Sequence, residues 1–167
     1  WGHIKRSRGV WPGNRLVEGL QSHEDAVLAK KNGLEGVILS NHGGRYVDCA
    51  PAPLQVLGEV REAVGDDFTV IIDSGARRGS DIVKALACGA DMVMSGRPTL
   101  FGAAVAGADG SYRALEIFKT EMDRVMAQLG LSTVDEIGPH IFWEPPSWVR
   151  ASEESVEEQV QRRAQVG

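Results

Sequence analysis

Four short strand-like stretches, at residues 15–20, 36–40, 68–72 and 92–94, recur along this chain, each followed by a segment with helical spacing, and this alternation is the strongest constraint on its fold. Strands that alternate with helices through short loops pair in parallel, because each helix returns the chain to the starting edge of the sheet by a right-handed crossover. The punctuation agrees. Ser22, with Asp25 three residues on, resembles a capping box for a helix that runs through Ala26, Leu28 and Ala29 and stops at Asn32-Gly33. Pro51 and Pro53 stand where a second helix begins, with Leu54, Leu57, Val60 and Val64 on one face and Gly65 at its end. Ser80 is the expected cap of a third, with Ile82, Val83 and Leu86 as its stripe. Tyr112, Leu115, Phe118, Met122, Val125, Met126 and Leu129 predict a core-facing outer helix up to Gly130. The first fourteen residues read as a mixed aromatic, basic and turn-forming lead-in. Residues 138–148 read as a Pro- and aromatic-rich loop.

The chemistry is concentrated where the strands end. Glu18, then Ser40-Asn41-His42-Gly43-Gly44-Arg45, then Asp73 to Arg78, then Gly96-Arg97 all lie at or just past the C-terminal end of a strand, the active face of a parallel α/β protein. His42 and Arg45 are separated by two glycines that free the backbone to turn both side chains toward one small ligand. Imidazole exchanges a proton near neutral pH, and guanidinium grips a carboxylate through two parallel hydrogen bonds. The pair suits an acid that must lose a proton. The last two loops each combine glycine for close backbone approach with arginine for charge, as a phosphate site requires. Periodicity fits both an open doubly wound sheet and part of an eight-unit barrel; the paired phosphate-type loops after the last two strands favour the barrel.

A net charge of −5, with Lys5-Arg6-Ser7-Arg8 as the only basic cluster, argues against nucleic acid as a partner. Cys49 and Cys88 have neither metal-ligand nor redox spacing and read as structural thiols of a reducing compartment. His3, His23 and His140 have no spaced partners, so no metal is expected. No apolar run approaches the roughly 18 residues of a membrane span, and no secretory signal opens the chain. A cytoplasmic protein is expected, and the start at Trp1 in place of Met suggests a cleaved or trimmed polypeptide.

From about Trp11 to Leu129 the sequence resembles the C-terminal half of the FMN-dependent 2-hydroxy-acid dehydrogenase and oxidase family, which includes glycolate oxidase, lactate oxidase and mandelate dehydrogenase. The resemblance rests on Ser40 to Arg45 with Asp48, on Asp73-Ser74-Gly75-Ala76-Arg77-Arg78-Gly79 and on Gly96-Arg97-Pro98. It implies an α/β fold of the (β/α)8 TIM-barrel type, residues 1–149 supplying strands five to eight and residues 150–167 forming a charged tail. It implies oxidation of an (S)-2-hydroxy acid to a 2-oxo acid with FMN as cofactor. By the same resemblance His42 is the base and Arg45 binds the substrate carboxylate. Asp73, Gly75, Arg77, Gly96 and Arg97 hold the FMN ribityl phosphate, Ser40 lies near the flavin ring, and Glu18 occupies a flavin-facing position. A homo-oligomer of complete barrels is implied as well.

Two departures qualify these expectations. Glu18-Gly19-Leu20 stands where the family carries Lys-Gly-Ile, and that lysine stabilises negative charge on reduced flavin. An ionised glutamate opposes it unless protonated or paired, with Arg15 the partner suggested by the sequence. Glu18 thus raises an alternative, an impaired or non-catalytic FMN-binding barrel half with a structural or regulatory role. A flavin-dependent isomerase would share the phosphate loops but not the pairing of His42 with Arg45. The second departure is length: a complete barrel takes about 250 residues. A second polypeptide carrying the first four units is expected to cover the open face and edges, and membrane attachment through that half is left open.

Overall fold

The computed structural model describes residues 1–144, so the expected tail and the last part of the 138–148 loop lie outside the described residues. The chain runs α1 (Gly2–Arg8), β1 (Leu16–Leu20), α2 (His23–Lys31), β2 (Gly36–Leu39), α3 (Pro53–Val64), β3 (Thr69–Ile72), α4 (Gly79–Ala87), β4 (Met92–Val93) and α5 (Arg97–Leu129). The strands form one parallel sheet in the order β1-β2-β3-β4, each neighbour in sequence being the neighbour in space.

Register separates the two faces. Val17, Val37 and Val70 are aligned across the sheet, and Leu39, Ile72 and Val93 continue the same face. Against them pack Ala26 and Ala29 of α2 and Leu57, Val60 and Val64 of α3, giving a core in which most of these side chains have no solvent exposure. The alternate residues, Leu16, Glu18, Ile38 and Thr69, look the other way. That face is open: Leu16 is 41% and Met92 56% exposed. A second cluster joins Val83 of α4 to Met126 of α5 and to Leu131 beyond it.

Ser22 caps α2 as expected, its Oγ accepting the Asp25 N–H at 3.1 Å. Elsewhere the local signals misled. The lead-in contains α1, which has no buried stripe and is held from outside: the Arg15 guanidinium donates to Ile4 O and Ser7 Oγ, both at 2.7 Å. On α3 the buried stripe is Pro53, Leu57, Val60, Arg61 and Val64, and Leu54 turns to solvent. Arg61 earns its place by donating to the carbonyls of Gly65, Phe68 and Gly89 and to Asp91. α4 starts at Gly79, one residue before Ser80, where carboxylates hold the entering backbone: Asp81 Oδ2 accepts from Arg77 and Arg78 just before the helix, and Glu121 from Gly79. β4 is limited to Met92–Val93, short of Met94. The last helix begins at Arg97, not near Tyr112, and is two helical arms meeting at an elbow where Ala106 and Gly107 leave helical geometry. Gly102 and Gly110 face each other across the elbow so closely that neither has room for a side chain, and Ser111 Oγ donates to Thr99 O at 2.9 Å. Tyr112 and Leu115 are exposed, whereas Phe118 and Met126 are buried as expected.

Candidate functional site

The C-terminal ends of the strands converge on one cavity of about 500 Å³. Ser40, immediately after β2 and 1% exposed, ties two of the strand ends together. Its Oγ donates to Asp73 Oδ2 at 2.7 Å and accepts the His42 N–H at 3.0 Å. Asn41 Oδ1 accepts the Gly43 N–H, and Ser74 Oγ approaches the same N–H at 3.3 Å, so the loop after β2 is pinned to the loop after β3. Two non-glycine residues here have left-handed backbone geometry, His42 at φ +51° and Ser74 at φ +81°. Each such residue costs about 1–3 kcal/mol and is sustained by its surroundings, a pattern concentrated at functional sites.

Glu18, His42, Arg45, Asp73, Gly75, Arg77, Gly96 and Arg97 all line the cavity, while Ser40 lies behind its wall as a brace. Three arginines face two carboxylates, so the lining favours an anion. Arg45 Nε donates to His42 O at 3.0 Å, and its terminal amino groups have no acceptor among the described residues. The Asp73 carboxylate accepts from Ser40 and Ser74 on Oδ2. Arg78 turns away to pair with Glu121 at 3.0 Å. The partner suggested for Glu18 is corrected. Residues three apart on a strand point to opposite faces, and Arg15 is buried against Ile4, Ser7 and Gly33. The group beside Glu18 is His42, with Oε1 3.5 Å from Nδ1.

The sequence reading missed Ser74, Ser95 and Tyr46. The signal for the serines was their place in post-strand loops, Ser74 between Asp73 and Gly75 and Ser95 directly before Gly96-Arg97. Tyr46 sets its ring perpendicular to that of His42 with centroids 5.0 Å apart. No group of three or more His, Cys, Asp or Glu able to hold a metal occurs among the described residues.

Comparison with known proteins identifies the scaffold. Residues 1–144 match the family described as FMN-dependent dehydrogenase. The chain belongs to that family. The FMN-dependent dehydrogenase chain is 47% identical to (S)-mandelate dehydrogenase of Pseudomonas putida over 139 residues, covering 83% of this chain and 35% of the relative. It is 42% identical over 137 residues to a peroxisomal (S)-2-hydroxyacid oxidase of Arabidopsis thaliana, covering 82% and 38%. It superposes with a TM-score of 0.81 and 46% identity on the crystal structure of the monotopic membrane protein (S)-mandelate dehydrogenase, covering 84% of this chain and 37% of that one. The chain thus spans little more than a third of the length of these curated relatives. Among its described residues no helix is long and apolar enough to cross a membrane.

The family's cofactor is FMN, and the residues present fit it. Ser95 Oγ is buried without a hydrogen-bond partner, an orphan at the lip of this cavity that a bound polar group would satisfy. The N-cap of α5, Gly96, makes no side-chain cap hydrogen bond, so the first N–H groups of the helix join Arg97 as donors for a phosphate. Arg77 lies across the cavity, and Asp73 Oδ1, with no protein donor among the described residues, is available to a ligand hydroxyl.

Proposed function

We propose that this chain forms the C-terminal half, strands five to eight, of a (β/α)8 barrel that oxidises an (S)-2-hydroxy acid to a 2-oxo acid. The observation that carries the reading is the convergence of His42 and Arg45 with the Arg77 and Arg97 anion cradle in one cavity, in a chain of the FMN-dependent family. When bound, FMN supplies the acceptor for the electron pair that the substrate loses. Asp73, Gly75, Arg77, Gly96 and Arg97 hold it. Arg45, anchored through Nε, offers its outward amino groups to the substrate carboxylate, and His42 accepts the substrate proton.

The remaining four units of the barrel pack against this half. Among the described residues β1 and β4 each have one unpaired edge, and Leu16, Met92 and Met94 leave apolar surface on the open face. Completed barrels associate as homo-oligomers in the cytoplasm. The monotopic mandelate dehydrogenase supports a variation in which the other half of the barrel attaches the assembly to a membrane.

The test is the visible spectrum of the complete FMN-loaded protein, recorded without oxygen before and after lactate, glycolate and mandelate. The flavin bands are expected to bleach with one of these acids. His42→Ala should slow bleaching by about 10²-fold or more with FMN retained. Bands that persist with every acid refute the enzyme reading and leave the second one, an FMN-binding barrel half without turnover. That second reading is favoured by Glu18 standing where the family resemblance implies a lysine.

A further inference from the structure

Among the described residues only His42 and Ser74 hold left-handed backbone geometry without being glycine, and the two stand on separate loops of the same cavity. At Ser74 the residue type is unexpected. A glycine takes φ +81° without steric cost, and the next residue, at φ +101°, is Gly75. A side chain at position 74 strains the backbone, and strain of this kind persists only where the surroundings hold it in place. What the side chain adds there is a single hydroxyl.

That hydroxyl lies 3.3 Å from each of three atoms: Ser40 Oγ, Asp73 Oδ2 and the backbone nitrogen of Gly43. A serine hydroxyl has one proton to give and two lone pairs to receive with. Ser40 gives its proton to Asp73 Oδ2 at 2.7 Å and accepts the His42 N–H at 3.0 Å. Ser74 repeats the pattern one residue along, giving its proton toward Asp73 Oδ2 and accepting the Gly43 N–H. Two hydroxyls anchored on one carboxylate oxygen thus take two successive N–H groups of the loop after β2. The φ and ψ torsions of His42 are the two rotations between those nitrogens. Holding both N–H groups therefore fixes the backbone twist that decides where the His42 side chain leaves the loop. Arg45 follows, because its Nε is bonded to the His42 carbonyl. Asn41 Oδ1 also accepts the Gly43 N–H, at 3.0 Å, so removing the Ser74 hydroxyl leaves no N–H without an acceptor. It removes the tether between the two loops.

We propose that Ser74 is a positioning residue for the reaction: its hydroxyl ties the Gly43 N–H to the Asp73 loop and fixes the His42 backbone, so that His42 and Arg45 meet the acid in one arrangement. This rests on the function proposed above. A glycine at position 74 relieves the strain and loses the tether. Stability and turnover therefore part company at this one position, which a merely structural hydroxyl would not produce.

The test compares Ser74→Gly and Ser74→Ala with the wild type in the complete FMN-loaded protein. Urea unfolding reads stability, hydrogen exchange of a peptide spanning residues 40–46 reads the loop, and reduction of FMN by the acid without oxygen reads turnover. Ser74→Gly should unfold at the same urea concentration as the wild type or higher, because the relieved strain offsets the loss of three long bonds. Ser74→Ala keeps the strain and should unfold earlier. In both variants the loop should exchange about tenfold faster and the limiting rate of FMN reduction should fall about tenfold, with FMN still bound. Unchanged exchange in Ser74→Gly, or slower reduction confined to the less stable Ser74→Ala, overturns the proposal. So does a loss of stability in Ser74→Gly, for the hydroxyl is then a brace of the fold. If no acid reduces the wild-type protein, the proposed reaction fails by itself, and the exchange comparison still decides whether Ser74 holds the loop.

Discussion

Replacing Ser40 with alanine removes a hydroxyl that donates to Asp73 Oδ2 at 2.7 Å and accepts the His42 N–H at 3.0 Å. The first is a charge-assisted bond, worth about 1.5–3 kcal/mol, and the second leaves a partly buried N–H without its acceptor, a loss of about 1–3 kcal/mol. Asp73 is only half-buried and Ser74 remains as a weaker donor to the same oxygen at 3.3 Å, so the lower ends apply. The expected loss is about 2.5 kcal/mol, nearly a seventyfold change in equilibrium constant. Because the lost bonds join the His42 loop to the Asp73 loop, part of the loss should appear as weaker FMN binding. Urea unfolding of the complete protein with and without FMN, together with fluorescence titration of FMN, separates the two. A Ser40→Ala variant within about 0.5 kcal/mol of wild type, binding FMN normally, would refute the reasoning that Ser40 couples the loops.

At Gly79 an added Cβ would stand 2.6 Å from Glu121 Cβ and press on the α5 backbone, so Gly79→Ala should lower stability by about 3 kcal/mol in urea unfolding. A loss under about 1 kcal/mol would mean that α4 and α5 separate without cost. The Arg15 N–H and the Arg8 side chain hold the Glu35 carboxyl below the usual glutamate range. Its contribution is therefore complete above the ordinary glutamate pKa and is lost as pH falls through the lowered one. Glu35→Gln should remove that acid-sensitive step from a tryptophan fluorescence titration, Trp11 lying in the same segment; an acid step of unchanged size counts against the assignment.

The sequence made the strands and their order legible because each is a short stretch rich in aliphatic residues and closed by a turn, and neighbours in sequence proved to be neighbours in space. The cavity was legible for a related reason: in a parallel sheet every strand delivers its end to the same side, so His42, Asp73 and Arg97 meet although far apart in the chain. What stayed hidden depends on tertiary contacts. α1 has no buried apolar stripe and is held by Arg15, from the other side of a turn, through Ile4 O and Ser7 Oγ. Arg61 is buried on α3 because four acceptors surround it, which the helix's own periodicity does not reveal. The partner of Glu18 was misassigned to a residue near in sequence, when strand alternation places Arg15 on the opposite face and a different loop brings His42 across. Ser95 is exceptional only because nothing bonds to it, a property that no sequence pattern carries.

The elbow at Ala106 and Gly107 divides the labour of α5. Its longer arm is committed to α4 through Met126 and Val83, and its shorter arm carries Arg97 to the anion cradle. With the glycine pair and the Ser111 to Thr99 bond acting as the hinge pin, a change of pitch in the short arm moves Arg97 without disturbing the packing behind it. Ligand grip and scaffold strength can then drift as separate heritable traits, and substitutions at the elbow would retune the first while sparing the second.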